Sequence, residues 1–225
     1  MLKNEVIILD NLSNSKIEVL DKINKITGKS VKFYEVNMID KNILEKIFNE
    51  NNIDAVIDFA AYKAVGESVK KPIEYYTNNI ATVLNLLDVM KKYNCKKIVF
   101  SSSATVYGNP EIIPITEECK TGGTTNPYGT SKLFVEQILK DLYKSDNEWD
   151  ICILRYFNPI GAHESGLIGE EPNGIKINYK IAPRREGDIA ICYSDPTKAR
   201  EELGFIATKS LEDMCRDSWN YEKNN

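Results

Sequence analysis

The run KKIVFSS, residues 96–102, is apolar through its centre and closes on serines, with no alternation of polar and apolar positions. Such a run fits a strand covered on both faces of a parallel sheet. Four others share its form: EVIIL (5–9), VKFYEV (31–36), DAVIDFA (54–60) and DICILRY (150–156). Amphipathic patterns between them predict helices over 15–27, 41–51, 72–93 and 127–144. Pro72 suits a first helical turn, and Asn126-Pro127 offers a cap followed by proline at the first helical position. Strand and helix in alternation predict an α/β fold, a doubly wound parallel sheet with right-handed crossovers. Ligands bind such sheets at the carboxyl ends of strands. Three of those ends are chemically dressed here: LDNLSNS after the first run, FAAYK after the third and SSSATVYG after the fourth.

Bulk properties narrow the partners. With 29 Lys and Arg against 33 Asp and Glu, no basic excess points to nucleic acid. The five cysteines (Cys95, Cys119, Cys152, Cys192, Cys215) are odd in number and never form a CxxC pair, which favours reduced thiols in a cytoplasmic protein over a disulfide framework or a zinc site. His163 is the only histidine, so no metal centre is expected. MLKNEVIILD is too short in its apolar run for a signal peptide, and no later stretch approaches 18 apolar residues, so no membrane span is expected.

The chain changes character after 156. Residues 158–175, NPIGAHESGLIGEEPNGI, are rich in Gly and Pro; then come a strand-like DIAICY (188–193) and helical patterns in DPTKAREEL (195–203) and SLEDMCRDSWNYEK (210–223), each opened by an Asp or Ser cap. Residues 1–156 are therefore expected to form the sheet domain, and 157–225 a small lid over the strand ends.

Asp10 ends the first strand. In dinucleotide-binding folds an acid at this place holds the adenine ribose, about 20 residues beyond a Gly-rich turn. Counting back from Asp10 passes the start of the chain, so EVIILD is expected to be the second strand of such a fold, with the first βα unit and its glycine turn missing. Read alone, Asp10 is equally an Asp beginning a turn.

Tyr128 and Lys132 in NPYGTSK (126–132) lie four residues apart at a helix start, close enough to share a face. Tyr93 and Lys97 have the same spacing but straddle a helix end and a strand start, so spacing alone is cheap. A tyrosine titrates near ~10. A cation at ~4 Å contributes about 1 kcal/mol in water but about 4 at an effective dielectric of ~20, and one pKa unit is 1.36 kcal/mol. Only a partly buried pair could bring the phenol to about 7, where a general base works best. The SSSATVYG hydroxyls could pass a proton to that phenol, or merely saturate their own turn.

Strand-end serine followed by Y-x-x-x-K on the next helix is the signature of short-chain dehydrogenase/reductase enzymes. DNLSNS, FAAYKAVGESVKKPIEYYTNN, FSSSATVYG, NPYGTSKLFVEQIL, LRYFNPIGAH and APRREGD together resemble the UDP-glucose (UDP-galactose) 4-epimerases of the extended branch, in order over nearly the whole chain. The resemblance implies a Rossmann-like, NAD-binding domain over 1–156 without its first βα unit and a shortened substrate-binding region over 157–225. It implies NAD-dependent epimerisation of UDP-glucose and UDP-galactose at C4 through a transient 4-keto sugar. Tyr128 would be the base on the 4-hydroxyl, Lys132 would lower its pKa and hold the nicotinamide ribose, and Ser103 would bridge to the 4-oxygen. Cofactor contacts would come from Asp10, Asn11, Leu12, Ser13, Asn14 and Ser15, from Asn37 and Met38, from Phe59, Ala60, Ala61, Tyr62 and Lys63, and from Asn78 and Phe157, besides the catalytic three. Asn158, Arg185, Asp188 and Cys192 would join Ser103 and Tyr128 at the sugar nucleotide. A small residue at Cys192 would leave room for UDP-N-acetyl sugars. A homodimer paired through 72–93 and 127–144 is implied as well.

The chain departs from the pattern in three places: no Gly-rich first unit, no substrate-domain insert between Gly174-Ile175 and Lys176, and Asn37 where the family usually has Asp. Those departures keep a rival open, a non-catalytic truncated remnant. A decarboxylase or reductase of the same branch also remains. A dehydratase is disfavoured because Ala104 and Thr105 follow the serines where it would need a carboxyl acid.

Overall fold

The computed structural model describes residues 4–170, 183, 187–189 and 191–224. They fall into two compact units, one drawn from Met1–Asn37, Pro159–Ala182 and Phe205–Asn225, the other from Met38–Asn158 and Pro183–Gly204. Both units take segments from either side of position 156, where composition placed a boundary.

In the first unit, β1 (Ile7–Asp10) pairs in parallel with β2 (Lys32–Glu35), from Ile7 opposite Lys32 to Asp10 opposite Glu35. Helix α1 (Glu18–Thr27) connects them. It stops at Gly28, whose φ of 68° suits a residue without a Cβ and whose N–H bonds back to the Asn24 carbonyl. Helix α8 (Leu211–Asn224) is opened by Ser210. Asp213 N–H donates to Ser210 Oγ (3.1 Å), and Ser210 N–H donates to Asp213 Oδ2 (3.0 Å), a reciprocal capping box.

The second unit holds a parallel sheet ordered β3 (Val56–Asp58), β4 (Lys97–Ser103), β5 (Asp150–Tyr156). Helix α2 (Lys41–Glu50) starts where Asp40 accepts from the N–H groups of Asn42 and Ile43. Its buried Leu44, Ile47 and Phe48 pack on α5 (Thr82–Lys92), which buries Val83, Leu86 and Met90. Helix α6 (Pro127–Ser145) lies over α3 (Val65–Lys70), α4 (Pro72–Tyr76) and the sheet. Its Val135 and Leu139 are fully buried, each contributing about 1.5–3 kcal/mol of transfer free energy. A short α7 (Thr197–Leu203) follows.

The α/β class and parallel pairing agree with the reading of the sequence, but three details differ. The strands form two ladders, β1-β2 and β3-β4-β5, rather than one continuous sheet among the described residues. The helix expected over 72–93 is α4, a π-helical turn at Thr77–Ala81 and α5, and α3 precedes it unforeseen. DIAICY is not a strand in its described residues; only Ser194, just beyond it, makes a parallel bridge, to Ile115. No helix among the described residues is long and apolar enough to cross a membrane.

Candidate functional site

Strand β4 delivers Ser101, Ser102 and Ser103 to its carboxyl end. Ser103 leaves the strand and its Oγ accepts from Thr105 N (3.3 Å) and Thr105 Oγ1 (3.0 Å), capping a 3-10 turn at Ala104–Tyr107. Gly108 ends that turn at φ 59°; a Cβ there would stand 2.4 Å from the Gly123 carbonyl oxygen, so only glycine fits. Across from the turn, Asn126 caps α6 by accepting from Gly129 N (2.8 Å). Gly129 lets the helix start press on Thr105, since a Cβ would lie 3.0 Å from that side chain. These two close approaches set Tyr128 against Ser103, whose hydroxyl acts on the phenol.

Burial pushes the Tyr128 phenol above its ordinary pKa, and the Ser103 hydrogen bond and the Lys63 charge pull it part of the way back. Lys132 takes no part in that balance. Its Nζ donates to the Ser101 carbonyl (2.7 Å) and sits 4.8 Å from the centre of the Phe100 ring, 4% exposed. Burial pushes its ammonium down to about 8 against the opposing charge of Asp58. The lysine is held by the strand backbone and the aromatic ring beneath it.

Asp58 ends β3 and is 4% exposed, with Oδ1 accepting from Ala60 N (3.0 Å). Burial pushes its carboxyl up, while the Lys132 charge and the Ala60 hydrogen bond act the other way. The loop that follows carries Phe59, Ala60, Ala61, Tyr62 and Lys63. Asn79, on the π-helical turn, ties it down: Oδ1 accepts from Tyr62 N (2.8 Å), and Nδ2 donates to the Tyr62 carbonyl (3.0 Å) and to Ser131 Oγ (3.0 Å) on α6. Asn78, the predicted contact, donates to Asn79 Oδ1 (3.1 Å). Tyr75 fixes the loop's far end, donating to Glu67 Oε2 (2.9 Å) and accepting from Ala64 N (3.1 Å).

Behind the serines lies a buried ion pair. Glu136 on α6, with no exposure, accepts from Ser102 Oγ (2.6 Å) and from Arg155 Nε (2.9 Å) and Nη2 (2.7 Å) on β5. Arg155 Nη1 also donates to the Tyr107 hydroxyl (2.8 Å). Phe157 packs on the Tyr107 ring at 6.1 Å, and Cys192 joins the same cluster, its thiol pushed up by burial. Asn158 adopts φ 44° just beyond Phe157. Asp188 is half-buried next to Gly187, whose carbonyl accepts from Thr125 and Asn126. Arg185 and the expected junction at Gly174-Ile175 and Lys176 lie outside the described residues.

In the first unit, Asp10 Oδ1 accepts from Leu12 N (2.7 Å) and Ser15 Oγ (2.8 Å), and Asn11 Oδ1 accepts from Ser13 N (3.1 Å). Leu12 stands at φ 53°, folding the loop that carries Asn14 back toward Ser15. A half-buried carboxylate at a strand end, with small polar neighbours, fits a ribose diol. Asn37 ends this segment; Met38 opens the other unit, its carbonyl accepting from Asn85 (3.3 Å). In the second unit, Tyr128, Ser103 and Lys132 gather at the end of β4, and the Asp58 Oδ2 is buried without a hydrogen bond among the described residues. Each set suits a nicotinamide dinucleotide. No cluster of three metal-binding side chains occurs among the described residues.

Asp58, Asn79, Glu136 and Arg155 did not stand out in the sequence. Three of them left a signal, a single charge inside a mostly apolar run: AVIDFA, FVEQIL and CILRYF.

Comparison with known proteins agrees with this geometry. A UDP-glucose 4-epimerase of Haemophilus influenzae is 44% identical, covering 98% of this chain and 91% of its own length. Those of Bacillus subtilis and Mus musculus are 40% and 35% identical, covering 98% and 97% of this chain and 90% of their own lengths in each case. The Haemophilus match runs over 307 positions against a chain of 225 residues, so at least 82 positions of the match have no counterpart here. A solved UDP-glucose 4-epimerase of Bifidobacterium longum, in complex with NAD+ and UDP, superposes with a TM-score of 0.95 at 43% identity, covering 98% of this chain and 91% of that one. One from Stenotrophomonas maltophila, with bound NAD and formylated UDP-arabinopyranose, gives 0.92 at 32% identity with the same coverage. Residues 2–203 match the Epimerase family, described as NAD dependent epimerase/dehydratase. With that match and these relatives, the chain belongs to the NAD dependent epimerase/dehydratase family.

Proposed function

We propose that this protein interconverts UDP-glucose and UDP-galactose at C4 with NAD, as a step of galactose metabolism. The observation that carries the reading is the dry cluster of Tyr128, Ser103 and Lys132 at the end of β4, in a chain 44% identical to a UDP-glucose 4-epimerase. The same identity, held over 98% of the chain, supports an epimerase over a non-catalytic remnant.

NAD, when bound, supplies a reversible hydride acceptor for C4. The residues of the chain supply the proton chemistry and the positioning. Tyr128 takes the proton of the sugar 4-hydroxyl and returns it, and Ser103 hydrogen-bonds the 4-oxygen and keeps the phenol aimed. Lys63 stabilises the phenolate through its charge. Lys132 offers its ammonium to the nicotinamide ribose. Asp10 with Asn11, Leu12, Ser13, Asn14 and Ser15 binds the adenine ribose, and Asn37 and Met38 flank the adenine. Phe59 to Lys63, on a loop held by Asn79 and Tyr75, would contact the dinucleotide together with Asn78 of the π-helical turn and Phe157. Asn158, Arg185 and Asp188 hold the UDP moiety, and Cys192, small and half-buried, leaves room for an N-acetyl group.

We place the protein in the cytoplasm, a reading supported by five unpaired cysteines. We also infer a homodimer through α4, α5 and α6. There Ile73 is 75% exposed and Phe134 48%, the latter stacked on Tyr76 at 6.2 Å.

The test is conversion of UDP-galactose to UDP-glucose by the purified protein with NAD, read through a UDP-glucose-consuming coupled assay. Turnover is expected, and Tyr128→Phe should lower it by about 10²–10⁴, the range of a general base, with UDP binding kept. An undiminished rate in Tyr128→Phe would remove the tyrosine from its role.

A further inference from the structure

The residue at the end of β3 has no role in the chemistry above. In the ladder Asp58 lies opposite Phe100, and directly opposed residues of adjacent strands present their side chains to the same face. Lys132 crosses that face, with Nζ over the Phe100 ring and donating to the next residue, Ser101. The Asp58 carboxyl and the Lys132 ammonium therefore flank one aromatic ring on one side of the sheet, both 4% exposed. Asp58 Oδ1 is taken by Ala60 N, and Oδ2 is buried with no hydrogen bond among the described residues. A buried lone carboxylate, like a buried lone ammonium, is costly unless it faces an opposite charge.

We propose that Asp58 is the counter-ion of Lys132, a positioning residue that keeps the lysine cationic and seated against Phe100 and Ser101.

The surroundings leave this duty to Asp58. On α6 itself, Tyr128 is bonded to Ser103, and Glu136 is taken by Arg155 and Ser102. Tyr107 of the 3-10 turn is held by Arg155 of β5. On α3 and α4, Glu67 is shared by Lys71 and Tyr75; Lys70, Glu74 and Tyr76 are the remaining titratable groups of those helices, and Asp150, Cys152 and Tyr156 those of β5. Lys63, on the loop after β3, acts on Tyr128. Asp58 is the one charge that acts on Lys132 among the described residues, raising its pKa against burial.

The inference deepens the epimerase reading but is tested apart from turnover. The protein, labelled with [ε-13C]lysine and with its Lys132 resonance assigned by Lys132→Met, is titrated by NMR without substrate. Lys132 should titrate near 8 in the unaltered protein, at lower pH in Asp58→Asn, and back toward 8 in Asp58→Glu. An Asp58→Asn protein whose Lys132 titrates unchanged would overturn the pairing. Should Asp58→Asn not fold, the 13C-labelled Asp58 carboxyl of the unaltered protein decides: ionised at pH 7 it supports the counter-ion, protonated at pH 7 it refutes it. If the epimerase reading holds as well, the alkaline limb of kcat/KM moves to lower pH in Asp58→Asn and returns in Asp58→Glu. Failure of turnover with the titration shift intact would leave the pairing standing and refute only the activity.

Discussion

Replacing Arg155 by Met should destabilise the second unit more than any surface change, because it strands a buried charge. Glu136 has no solvent exposure and takes two of its hydrogen bonds from Arg155 and one from Ser102. Removing one partner of a buried pair costs about 3–5 kcal/mol, most of it the penalty of the charge left behind. Lys140 Nζ lies 3.6 Å from Glu136 Oε2 and can relieve part of this, so the expected loss is at the lower end, about 3 kcal/mol. With a urea slope of about 2 kcal/mol/M, the unfolding midpoint falls by about 1.5 M. Trp149 is buried in this unit and Trp219 belongs to the other, so a Trp219→Phe background makes fluorescence report the pair alone. The double variant Arg155→Met with Glu136→Met should recover much of the loss, since an apolar pair of similar volume is often neutral. The pH dependence has a definite sign. Burial raises the Glu136 carboxyl, but Arg155 and Ser102 more than reverse it and hold it below its usual value. Its contribution is therefore present above the ordinary carboxylate range and lost as pH falls through the lower, folded value. The gap between unaltered protein and Arg155→Met should close in acid. A loss under about 1 kcal/mol at pH 7, or a double variant as weak as the single, would refute the account.

Three further outcomes are expected. Gly108→Ala should unfold readily, with about 1–3 kcal/mol from the sparsely allowed positive-φ conformation alone and more from the overlap with the Gly123 carbonyl; a midpoint equal to the unaltered protein's would contradict the geometry. Lys63→Met removes a charge that pulls the Tyr128 phenol down, so tyrosinate absorbance assigned by difference with Tyr128→Phe should emerge at higher pH, and a shift to lower pH would refute the Lys63 role. Asn126→Ala loses the cap on Gly129 N and should cost about 1 kcal/mol, together with a fall in kcat, because the same cap orients the helix turn that carries Tyr128; wild-type kcat in a destabilised variant would separate the two effects.

How much of this was legible beforehand follows from which forces act locally. Strand runs such as KKIVFSS and the Asn126-Pro127 start of α6 are written in adjacent residues, so the sequence shows them. The same holds for Ser210, whose capping box needs only Asp213 three positions on. Helix 72–93 reads as one segment because the π-helical turn joins α4 to α5 without a break in helical backbone, yet that turn brings Asn79 to Tyr62 and Ser131. DIAICY carries strand propensity without a ladder, since its end meets only an isolated bridge, Ser194 with Ile115, among the described residues. Arg155 and Glu136 were missed because their pairing spans two elements, and a lone charge in an apolar run does not say what will meet it.

The spacing of Tyr128 and Lys132 predicted their meeting and not its electrostatics. Dryness raises a phenol and lowers an ammonium, so burial by itself favours the uncharged form of both and opposes the phenolate–ammonium state that a base requires. The chain answers with charges brought from other elements: Lys63 acts on the phenol from the loop after β3, and Asp58 acts on the ammonium from the end of that strand. Lys63 lies in the loop that Asn79 and Tyr75 pin, and Asp58, at the strand end, is joined to that loop through Ala60 N. A variant that loosens this loop without touching either residue, Asn79→Ala, should therefore move both titrations together: the phenol up as Lys63 withdraws and the ammonium down as Asp58 does. Titrations that stay fixed while hydrogen exchange shows the loop released would mean that the loop does not govern the acid–base state of the site.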